Sequence, residues 1–395
     1  MKNTNTSHTA AIHWIGAGLA SGPGIVALSQ QGYDITLWDM SLERANALTD
    51  HLYENTTLQI RYLNLDDHLS LQEFSQRLTP GDIIVSMLPA AFHVKVAKLA
   101  LSHQCHMVTS SYLSSEMVAL HKNAITKGLC LVNEVGLDPG IDHLLTHLVV
   151  DAAQKAEVLG QGHHIDFISY CGGVPAQETP FTYKFSWTPL GVLTALTNPA
   201  QLIKNGKTHT VDKAWQDVSN LSLNGEIFEV YANRDSLPYI SEYGLELETN
   251  LQNFVRGTIR RKGWKKAWHN IFATLENATP SDIKVLSDQL WQEHQYGEHE
   301  QDRVVLHVAL KATPKDTRPW EGSLSLDYIG AGWKSAMAAT VSLTVVEAVK
   351  AVKEGRLCPG VQAAPSDITE AKIWLKGLKE NGIQITSHNV SLNGK

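Results

Sequence analysis

Three acidic residues lie in the segment Asn133–His143, which reads NEVGLDPGIDH. Glu134, Asp138 and Asp142 follow a short apolar run that predicts a buried strand, and they precede the apolar run 141–150, which predicts a helix. In open α/β sheets, ligands bind at the carboxyl ends of the strands. Carboxyl groups crowded there have raised pKa values and can serve as general acids or bases. The alternative is an ordinary strand-to-helix loop in which Asp142 caps the helix.

A glycine-rich turn near the start of the chain predicts a dinucleotide site. Residues 11–15 predict a buried strand, the sequence Gly-Ala-Gly follows at 16–18, and residues 24–31 predict a helix. The first glycine permits a tight turn, the second permits close approach of a pyrophosphate, and the N–H groups at the helix start favour its charge. The third small residue of the motif is Ser21 or Gly22. The predicted dinucleotide contacts are Gly16, Gly18, Leu19, Ala20, Asp39, Met40, Leu88, Pro89 and Ser110.

Asp39 ends the second predicted strand, at the spacing of roughly 20 residues from Gly18 that is typical of the acid that binds the adenosine ribose. A carboxylate there accepts hydrogen bonds from the ribose hydroxyls and repels a 2′-phosphate. Met40 and Ser41 come next and Arg44 lies a turn further along, so no Arg or Lys adjoins the acid. We therefore expect NAD to be the cofactor in preference to NADP.

Six strands alternate with helices up to residue 132, which predicts an α/β fold with a Rossmann-type, doubly wound parallel sheet. Beyond residue 150, longer apolar runs predict a second α+β domain with a mostly antiparallel or mixed sheet. We expect the active cleft to lie between the two domains. The predicted divisions are a dinucleotide-binding domain at 9–135, a substrate-binding and dimerisation domain at 136–332, and C-terminal helices at 333–395 that pack back on the first domain.

Composition excludes several classes of protein. The net charge is −7 and no long basic run occurs, which argues against nucleic-acid binding. No signal-peptide pattern opens the chain, and no apolar stretch reaches the roughly 18 residues of a membrane span. Four scattered cysteines predict neither a disulfide framework nor a zinc site, so we expect a cytoplasmic protein. The segment 293–300 holds His294 and His299 but is rich in Gln, Glu and Gly, which is typical of a solvated loop, and no metal is expected.

Several long motifs together resemble the saccharopine dehydrogenase family, particularly its L-glutamate-forming branch, also called saccharopine reductase. The motifs are NEVGLDPGIDH at 133–143, SYCGGVP at 169–175, YKFSW at 183–187, GVL at 191–193, NRDS at 233–236 and RGT at 256–258, with TSSY at 109–112 and GVQ at 360–362. The resemblance implies a Rossmann domain, a second domain on a mixed sheet and a nicotinamide cofactor. It also implies reversible reduction of an imine formed between an aldehyde and an amino acid.

Three departures from the family pattern bear on cofactor and substrate. Family members often carry an Arg after the second strand, where this chain has Asp39-Met40. The segment after SYCGG is shortened. Leu190 stands where family members often have an Arg before the GVL motif. If that Arg holds a substrate carboxylate, its replacement leaves the identity of the substrate open.

Four side chains are candidates for moving protons: Asp138, Tyr112, Cys171 and His143. We favour Asp138, at the strand end nearest the expected nicotinamide, and Tyr112, which follows the preceding strand. Cys171 is more typical of a packed small residue, and His143 of a hydrogen bond at a helix start. A structural role for Asp138, ordering its loop through backbone N–H groups, stays open.

Arg234 and Arg256 are the candidates for binding substrate carboxylates, because the planar guanidinium matches a carboxylate with paired hydrogen bonds. The alternative for each is a structural salt bridge, for example between Arg234 and Asp235. The predicted substrate contacts are Arg234, Arg256, Cys171, Tyr183 and Asp142.

The sequence thus predicts an oxidoreductase acting on CH–NH bonds, which oxidises a secondary amine such as saccharopine to an amino acid and 2-aminoadipate semialdehyde through an imine. One alternative is a carboxynorspermidine-type dehydrogenase, which joins an aldehyde to a diamine. The other is a redox-inactive dinucleotide-binding sensor. The expected partners are a small amino-acid substrate and a second copy in a homodimer, with no nucleic acid and no membrane.

Overall fold

The computed structural model describes residues 10–54, 56, 58–316 and 318–392. Contacts between residues divide the chain into two compact units. Unit 1 comprises residues 1–141 and 338–364, and unit 2 comprises residues 142–337 and 365–395. The predicted C-terminal block at 333–395 is therefore shared between the units, because its strands join two different sheets.

The strands and helices are numbered in chain order. The strands are β1 (Ile12–Ile15), β2 (Ile35–Asp39), β3 (Gln59–Tyr62), β4 (Ile83–Ser86), β5 (His106–Val108), β6 (Cys130–Val132), β7 (His164–Pro175), β8 (Ala200–Lys204), β9 (Lys207–Val211), β10 (Ser219–Leu223), β11 (Glu226–Ala232), β12 (Leu251–Arg261), β13 (Gln301–Thr313), β14 (Trp320–Ala331), β15 (Gly360–Gln362) and β16 (Ile385–His388). The helices are α1 (Gly22–Gln30), α2 (Leu42–Asn46), α3 (His68–Arg77), α4 (His93–Ser102), α5 (Ser115–Val118), α6 (His121–Lys127), α7 (Ile141–Lys155), α8 (Pro189–Thr197), α9 (Pro238–Glu242), α10 (Trp264–Ala267), α11 (His269–Leu275), α12 (Pro280–His294), α13 (Ala336–Lys353) and α14 (Ile368–Glu380).

Unit 1 is built on a seven-stranded sheet in the order β15-β6-β5-β4-β1-β2-β3. Every pair of neighbours is parallel. Strands β1, β4 and β6 are buried throughout, because a parallel sheet is covered on both faces and its strands are apolar runs rather than alternating ones. The predicted Rossmann-type sheet is confirmed, and β15 adds a seventh strand that the alternation of the first 132 residues did not include.

Unit 2 is built on a nine-stranded sheet. Seven strands follow the order β10-β11-β12-β7-β13-β14-β16, while β8 pairs with β12 and with β9. The pair β7–β12 is parallel and the other pairs are antiparallel. The predicted mixed, mostly antiparallel sheet is therefore confirmed. An aromatic cluster that includes Tyr183, Phe185, Trp264 and Trp268 forms part of the core of this unit.

Across the described part of the chain, no helix has both the length and the apolar character that crossing a bilayer requires.

Candidate functional site

The glycine-rich turn connects β1 to α1 at the carboxyl edge of the unit 1 sheet. Gly16 has a φ of 103°, and a Cβ there would lie 3.0 Å from the carbonyl oxygen of Met87. Gly18 is exposed, and a Cβ there would meet no heavy atom of the described residues within 4 Å outside its own chain neighbours. Leu19 is exposed and Ala20 is half-buried. The turn is thus tight at its first glycine and open at its second, as the approach of a pyrophosphate requires.

A further glycine, Gly24, lies within α1 and beyond Ser21 and Gly22, the residues predicted for the third small position of the motif. A Cβ at Gly24 would lie 2.7 Å from the carbonyl oxygen of Ser342 and 2.8 Å from Trp14 Cη2. The Gly24 N–H also donates to Ser342 Oγ at 2.9 Å. Close packing of α1 against the sheet and against α13 therefore requires glycine at this position.

Asp39 is buried at the end of β2, and both of its carboxylate oxygens accept hydrogen bonds. Oδ2 accepts from the Ala17 N–H at 2.6 Å, and Oδ1 accepts from the Ser41 N–H at 2.6 Å. The guanidinium of Arg44 donates to Oδ1 at 2.8 Å, although its side chain is 57% exposed. The expectation that no cation adjoins Asp39 is wrong, because α2 turns Arg44 back toward the strand end. Met40 is exposed beside this pair.

The other predicted dinucleotide contacts follow β4 and β5 at the same edge of the sheet. Leu88 is half-buried and Pro89 is exposed in the loop after β4. Ser110 is half-buried after β5, and its hydroxyl lies 3.8 Å from the sulfur of Met87. The two loops therefore touch through Ser110 and Met87.

The two predicted catalytic residues are in contact. The Tyr112 hydroxyl donates to Asp138 Oδ1 at 3.3 Å, and both side chains are half-buried. Tyr112 follows β5 and Asp138 follows β6, which are neighbours in the sheet. A phenol hydrogen-bonded to a carboxylate can pass or accept a proton, so this pair has the chemistry of general acid–base catalysis.

Glu134 has a different role from the two other acids of its segment. Its φ is 55°, its N–H donates to the carbonyl of Ser111 at 3.0 Å, and its Oε1 accepts from the Leu113 N–H at 2.9 Å. Glu134 thus ties the loop after β6 to the loop that carries Tyr112.

A histidine that the sequence did not single out lies at the same edge of unit 1. His93, the first residue of α4, is buried and contacts the hydroxyls of Ser86, Ser111 and Thr109. Burial lowers its pKa to about 4. The available signal was weak, because eighteen histidines occur in the chain and nothing in the sequence brings Ser111 near position 93.

In unit 2, Asp142 and Arg256 form a buried ion pair. Arg256 Nη2 donates to Asp142 Oδ2 at 2.6 Å, and the guanidinium stacks 3.9 Å from the ring centroid of Tyr239. His143, next along α7, has its Nδ1 2.9 Å from the Tyr243 hydroxyl. The structural salt bridge that the sequence left open for Arg256 is thus present, with Asp142 as its acid.

The remaining predicted substrate contacts of unit 2 lie in three different settings. Cys171 is buried in the middle of β7, opposite Leu306 of β13. Tyr183 is buried in the aromatic core, with the guanidinium of Arg260 4.7 Å from its ring centroid. Arg234 is exposed, with a φ of 58°, in the loop after β11. Among these three side chains, Arg234 is the one that solvent reaches.

The edge of the unit 1 sheet fits a nicotinamide dinucleotide. The open turn at Gly18 suits the pyrophosphate, the carboxylate of Asp39 suits a ribose, and the Tyr112–Asp138 pair supplies proton chemistry on neighbouring strands. The arrangement suits a reaction in which a hydride and a proton leave the same substrate.

Two family models match the chain. The model described as "Saccharopine dehydrogenase NADP binding domain" matches residues 12–132, and the one described as "Saccharopine dehydrogenase C-terminal domain" matches residues 136–383. The first match confirms a domain that binds a nicotinamide dinucleotide.

Relatives of known identity match over most of the chain or over part of it. A saccharopine dehydrogenase [NADP(+), L-glutamate-forming] from Pyricularia oryzae is 30% identical over 94% of this chain and 97% of its own length. The mitochondrial alpha-aminoadipic semialdehyde synthase of Rattus norvegicus is 34% identical over 64% of this chain, which covers 27% of that longer protein.

A solved structure resembles most of the chain. The apo histidine-tagged saccharopine dehydrogenase (L-Glu forming) from Saccharomyces cerevisiae superposes with a TM-score of 0.77 and 26% identity, over 96% of this chain and 100% of that one. The predicted enzyme class, an oxidoreductase acting on CH–NH bonds, is confirmed with the family. From its motifs, its two domain models and its full-length relatives, the chain belongs to the saccharopine dehydrogenase family.

Proposed function

We propose that this protein catalyses the reversible oxidation of saccharopine to glutamate and 2-aminoadipate semialdehyde. Saccharopine is a secondary amine that joins lysine and glutamate skeletons. The observation that carries the proposal is the Tyr112–Asp138 contact at the carboxyl edge of a family dinucleotide-binding domain. Full-length relatives named as L-glutamate-forming saccharopine dehydrogenases support the choice of substrate.

The proposed reaction needs proton transfers at defined points. The amine nitrogen must be deprotonated before the neighbouring carbon is oxidised, and water must then add to the imine so that the C–N bond breaks. A nicotinamide dinucleotide bound at the Gly16–Gly18 turn would supply the hydride acceptor. Tyr112 and Asp138 are the groups that we assign to the proton transfers, since their shared hydrogen bond lets a proton move between phenol and carboxylate.

Substrate carboxylates require a cation that solvent and ligand can reach. Arg234 meets that requirement in unit 2, because it is exposed in the loop after β11. Arg256 is buried and its guanidinium is bound to Asp142, so we assign it to holding the start of α7. The Arg234 guanidinium would bind a carboxylate through paired hydrogen bonds.

An activity grid tests the proposed function. Purified protein is assayed with saccharopine and oxidised cofactor, and in reverse with 2-aminoadipate semialdehyde plus glutamate and reduced cofactor. We expect turnover in both directions. Turnover only when a diamine replaces glutamate would indicate a polyamine enzyme, and tight dinucleotide binding without any turnover would indicate a sensor; either result contradicts the proposal.

We also propose that the preferred cofactor is NAD, although the family description and the relatives' names specify NADP. A buried carboxylate at the end of β2, held by two backbone N–H groups, is the acid that accepts ribose hydroxyls in NAD-binding domains. Its charge opposes a 2′-phosphate. The family's Arg after this strand is replaced by Met40, and the nearby Arg44 is bound to Asp39.

The cofactor proposal is tested by comparing kcat/KM for NADH and NADPH. We expect NADH to be favoured in the wild type, and Asp39→Ser combined with Met40→Arg to shift the ratio toward NADPH. Arg44→Gln is the matched control, because it removes the nearest cation and leaves the acid. A wild type that favours NADPH, with that preference lost in Arg44→Gln, would assign the 2′-phosphate to Arg44 and overturn the role given to Asp39.

The homodimer and the cytoplasmic location stay predictions. Light scattering of the purified protein would test the first, and fractionation of the source cells would test the second.

A further inference from the structure

His93 bridges the end of strand β4 and the loop after β5 at the carboxyl edge of the unit 1 sheet. Its Nδ1 lies 3.0 Å from Ser86 Oγ, at the end of β4. Its Nε2 lies 2.7 Å from Ser111 Oγ and 3.3 Å from Thr109 Oγ1, both after β5. The side chain is buried, so these contacts are made away from solvent. One imidazole thus joins the end of β4 to the loop that carries Tyr112.

The imidazole of His93 is neutral at physiological pH, because burial lowers its pKa to about 4. A neutral ring has one N–H donor and one acceptor nitrogen, and serine hydroxyls can donate or accept, so both nitrogens are satisfied in either tautomer. The ring makes these contacts to hydroxyls of the protein itself. The contacts therefore suit a group that fixes geometry rather than one that exchanges protons with a substrate.

The loop held by His93 is also held on its other side. The Ser111 carbonyl accepts from the Glu134 N–H at 3.0 Å, and Glu134 Oε1 accepts from the Leu113 N–H at 2.9 Å. Tyr112 lies between these two anchored residues. Its own contact with Asp138 is 3.3 Å, which is long for a bond between a hydroxyl and a carboxylate. Displacement of the loop away from Asp138 would therefore weaken this contact further.

We propose that His93 is a positioning residue: by holding the Ser111 hydroxyl, it keeps the Tyr112 phenol in contact with Asp138. This inference rests on the proposed function, since it assigns His93 to the proton-transfer pair of that reaction. Ser111 is the point of attachment to the loop that carries Tyr112, whereas Ser86 contacts Nδ1 at the end of β4, away from that loop.

Two substitutions at position 93 distinguish the contact made by Nε2 from the contact made by Nδ1. The Gln side chain of His93→Gln places its terminal amide near the Nε2 position and can still reach Ser111. The shorter amide of His93→Asn lies near the Nδ1 position and can reach only Ser86. Ser111→Ala removes the attachment from the other side, and Ser86→Ala is the matched control that leaves it in place.

The kinetic test compares kcat and KM of these variants for saccharopine oxidation. We expect His93→Asn and Ser111→Ala to lower kcat by about tenfold or more, since a misplacement near 1 Å can cost up to 10²-fold. The dinucleotide KM should change by less than about twofold. We expect His93→Gln and Ser86→Ala to retain most of the wild-type kcat. The double variant His93→Asn/Ser111→Ala should have a kcat no lower than that of the slower single variant, because both substitutions remove the same contact between His93 and Ser111.

A second readout needs no substrate. Hydrogen exchange of the peptide that spans residues 109–113 should be faster in His93→Asn and Ser111→Ala than in the wild type or in Ser86→Ala. If the wild type does not turn over saccharopine, the proposed function fails, while this exchange pattern still reports on the loop. The two failures are therefore distinguishable.

Three results would overturn the inference. One is an unchanged kcat in both His93→Asn and Ser111→Ala. Another is an equal loss in Ser86→Ala, which would show that the ring supports the sheet edge in general. The third is loss of one limb of the kcat–pH profile in His93→Gln, which would make His93 a general acid or base. A positioning role requires that the shape of this profile is kept.

Discussion

Arg234 and Arg256, which the sequence suggests equally as binders of substrate carboxylates, differ in burial in unit 2. Arg256 is buried against Tyr239 and bound to Asp142 at 2.6 Å, while Arg234 is exposed in a loop with a φ of 58°. Removing a partner of a buried ion pair leaves an uncompensated charge, which costs about 3–5 kcal/mol. Changes at Arg256 will therefore act through folding, and changes at Arg234 can act on substrate binding.

Arg234→Asn should raise the KM for saccharopine by about tenfold or more, since a hydrogen bond to a charged group contributes roughly 1.5–3 kcal/mol. Asn adopts a positive φ readily, so the loop should keep its shape. Steady-state kinetics and the thermal midpoint measure the two effects. Arg234→Lys keeps the charge without the planar fork and should lie between wild type and Arg234→Asn. An unchanged KM in Arg234→Asn would remove this residue from the substrate site.

Tyr112→Phe and Asp138→Asn should each lower kcat by about 10²-fold, within the range for general acid–base catalysis. Each substitution keeps the size of its side chain: Tyr112→Phe removes the hydroxyl that donates the proton, and Asp138→Asn removes the carboxylate that can take it up. The dinucleotide dissociation constant, measured by fluorescence, should stay near the wild-type value. If one variant retains full kcat while the other is inactive, the pair does not act as a unit, and only the inactive position takes part in proton transfer.

How far the site could be predicted depends on whether its contacts are local in sequence. Tyr112 and Asp138 were identified because each follows a strand, and neighbouring parallel strands end at one edge. The attachment of Ser111 to His93 and the return of Arg44 to Asp39 were missed. These contacts depend on where loops turn in space, and residue types and spacing carry little information about that.

At the scale of elements, the apolar strands of unit 1 were predicted within a few residues because parallel strands are buried on both faces. Helix α3 has a weak sequence signal, since its buried residues are Ser70 and Phe74 and its Leu69 is 73% exposed. Strand β15 was missed because three residues, GVQ, carry no periodic signal. Its place beside β6 comes from pairing of Val361 with Leu131, far apart in the chain.

The packing of α1 gives a prediction that separates folding from cofactor binding. Gly24→Ala should destabilise the protein by about 1–3 kcal/mol, since its Cβ would overlap Trp14 and the Ser342 carbonyl. Gly18→Ala should leave the stability near wild type because its Cβ meets open space, yet it should weaken dinucleotide binding. Urea unfolding and cofactor titration measure these two effects. If Gly18→Ala lost as much stability as Gly24→Ala, both glycines would serve packing, and the assignment of Gly18 to dinucleotide binding would be wrong.

At the scale of the whole molecule, the C-terminal portion returns to both units. Residues 338–364 contribute β15 to the unit 1 sheet, and β16 pairs with β14 in unit 2. A division into consecutive blocks, as the sequence suggested, cannot represent this arrangement. Each sheet therefore includes a strand from the segment 360–388, so loss of that segment would remove β15 from one sheet and β16 from the other.

A buried histidine in each unit makes stability depend on pH below neutrality. Burial lowers the pKa of His93 in unit 1 to about 4. Burial, with a smaller contribution from His143, lowers the pKa of His147 in unit 2 to about 4, and Asp142 opposes the shift. The unfolded chain protonates these rings near pH 6.5 and the folded protein does not. Stability is therefore unaffected above about pH 6.5 and falls as the pH drops from there toward 4.

Substitution of one ring at a time should show this dependence. Each buried histidine contributes up to about 1.4 kcal/mol per pH unit, and less near pH 6.5, where the unfolded ring is half protonated. Between pH 6.5 and 5, His147→Gln should therefore lose about 1.5 kcal/mol less stability than the wild type. His93→Gln should likewise reduce the loss of unfolding free energy per pH unit. If the two units unfold in separate transitions, each variant should change the transition of the unit that contains the substitution. Urea unfolding at pH 8, 6.5 and 5 measures the slopes, with His68→Gln, an exposed position on α3, as the control. If the unfolding free energy of His147→Gln depends on pH as strongly as that of the wild type, the His147 ring of the wild type is protonated in the folded state. Burial of that ring against Tyr243 opposes this outcome.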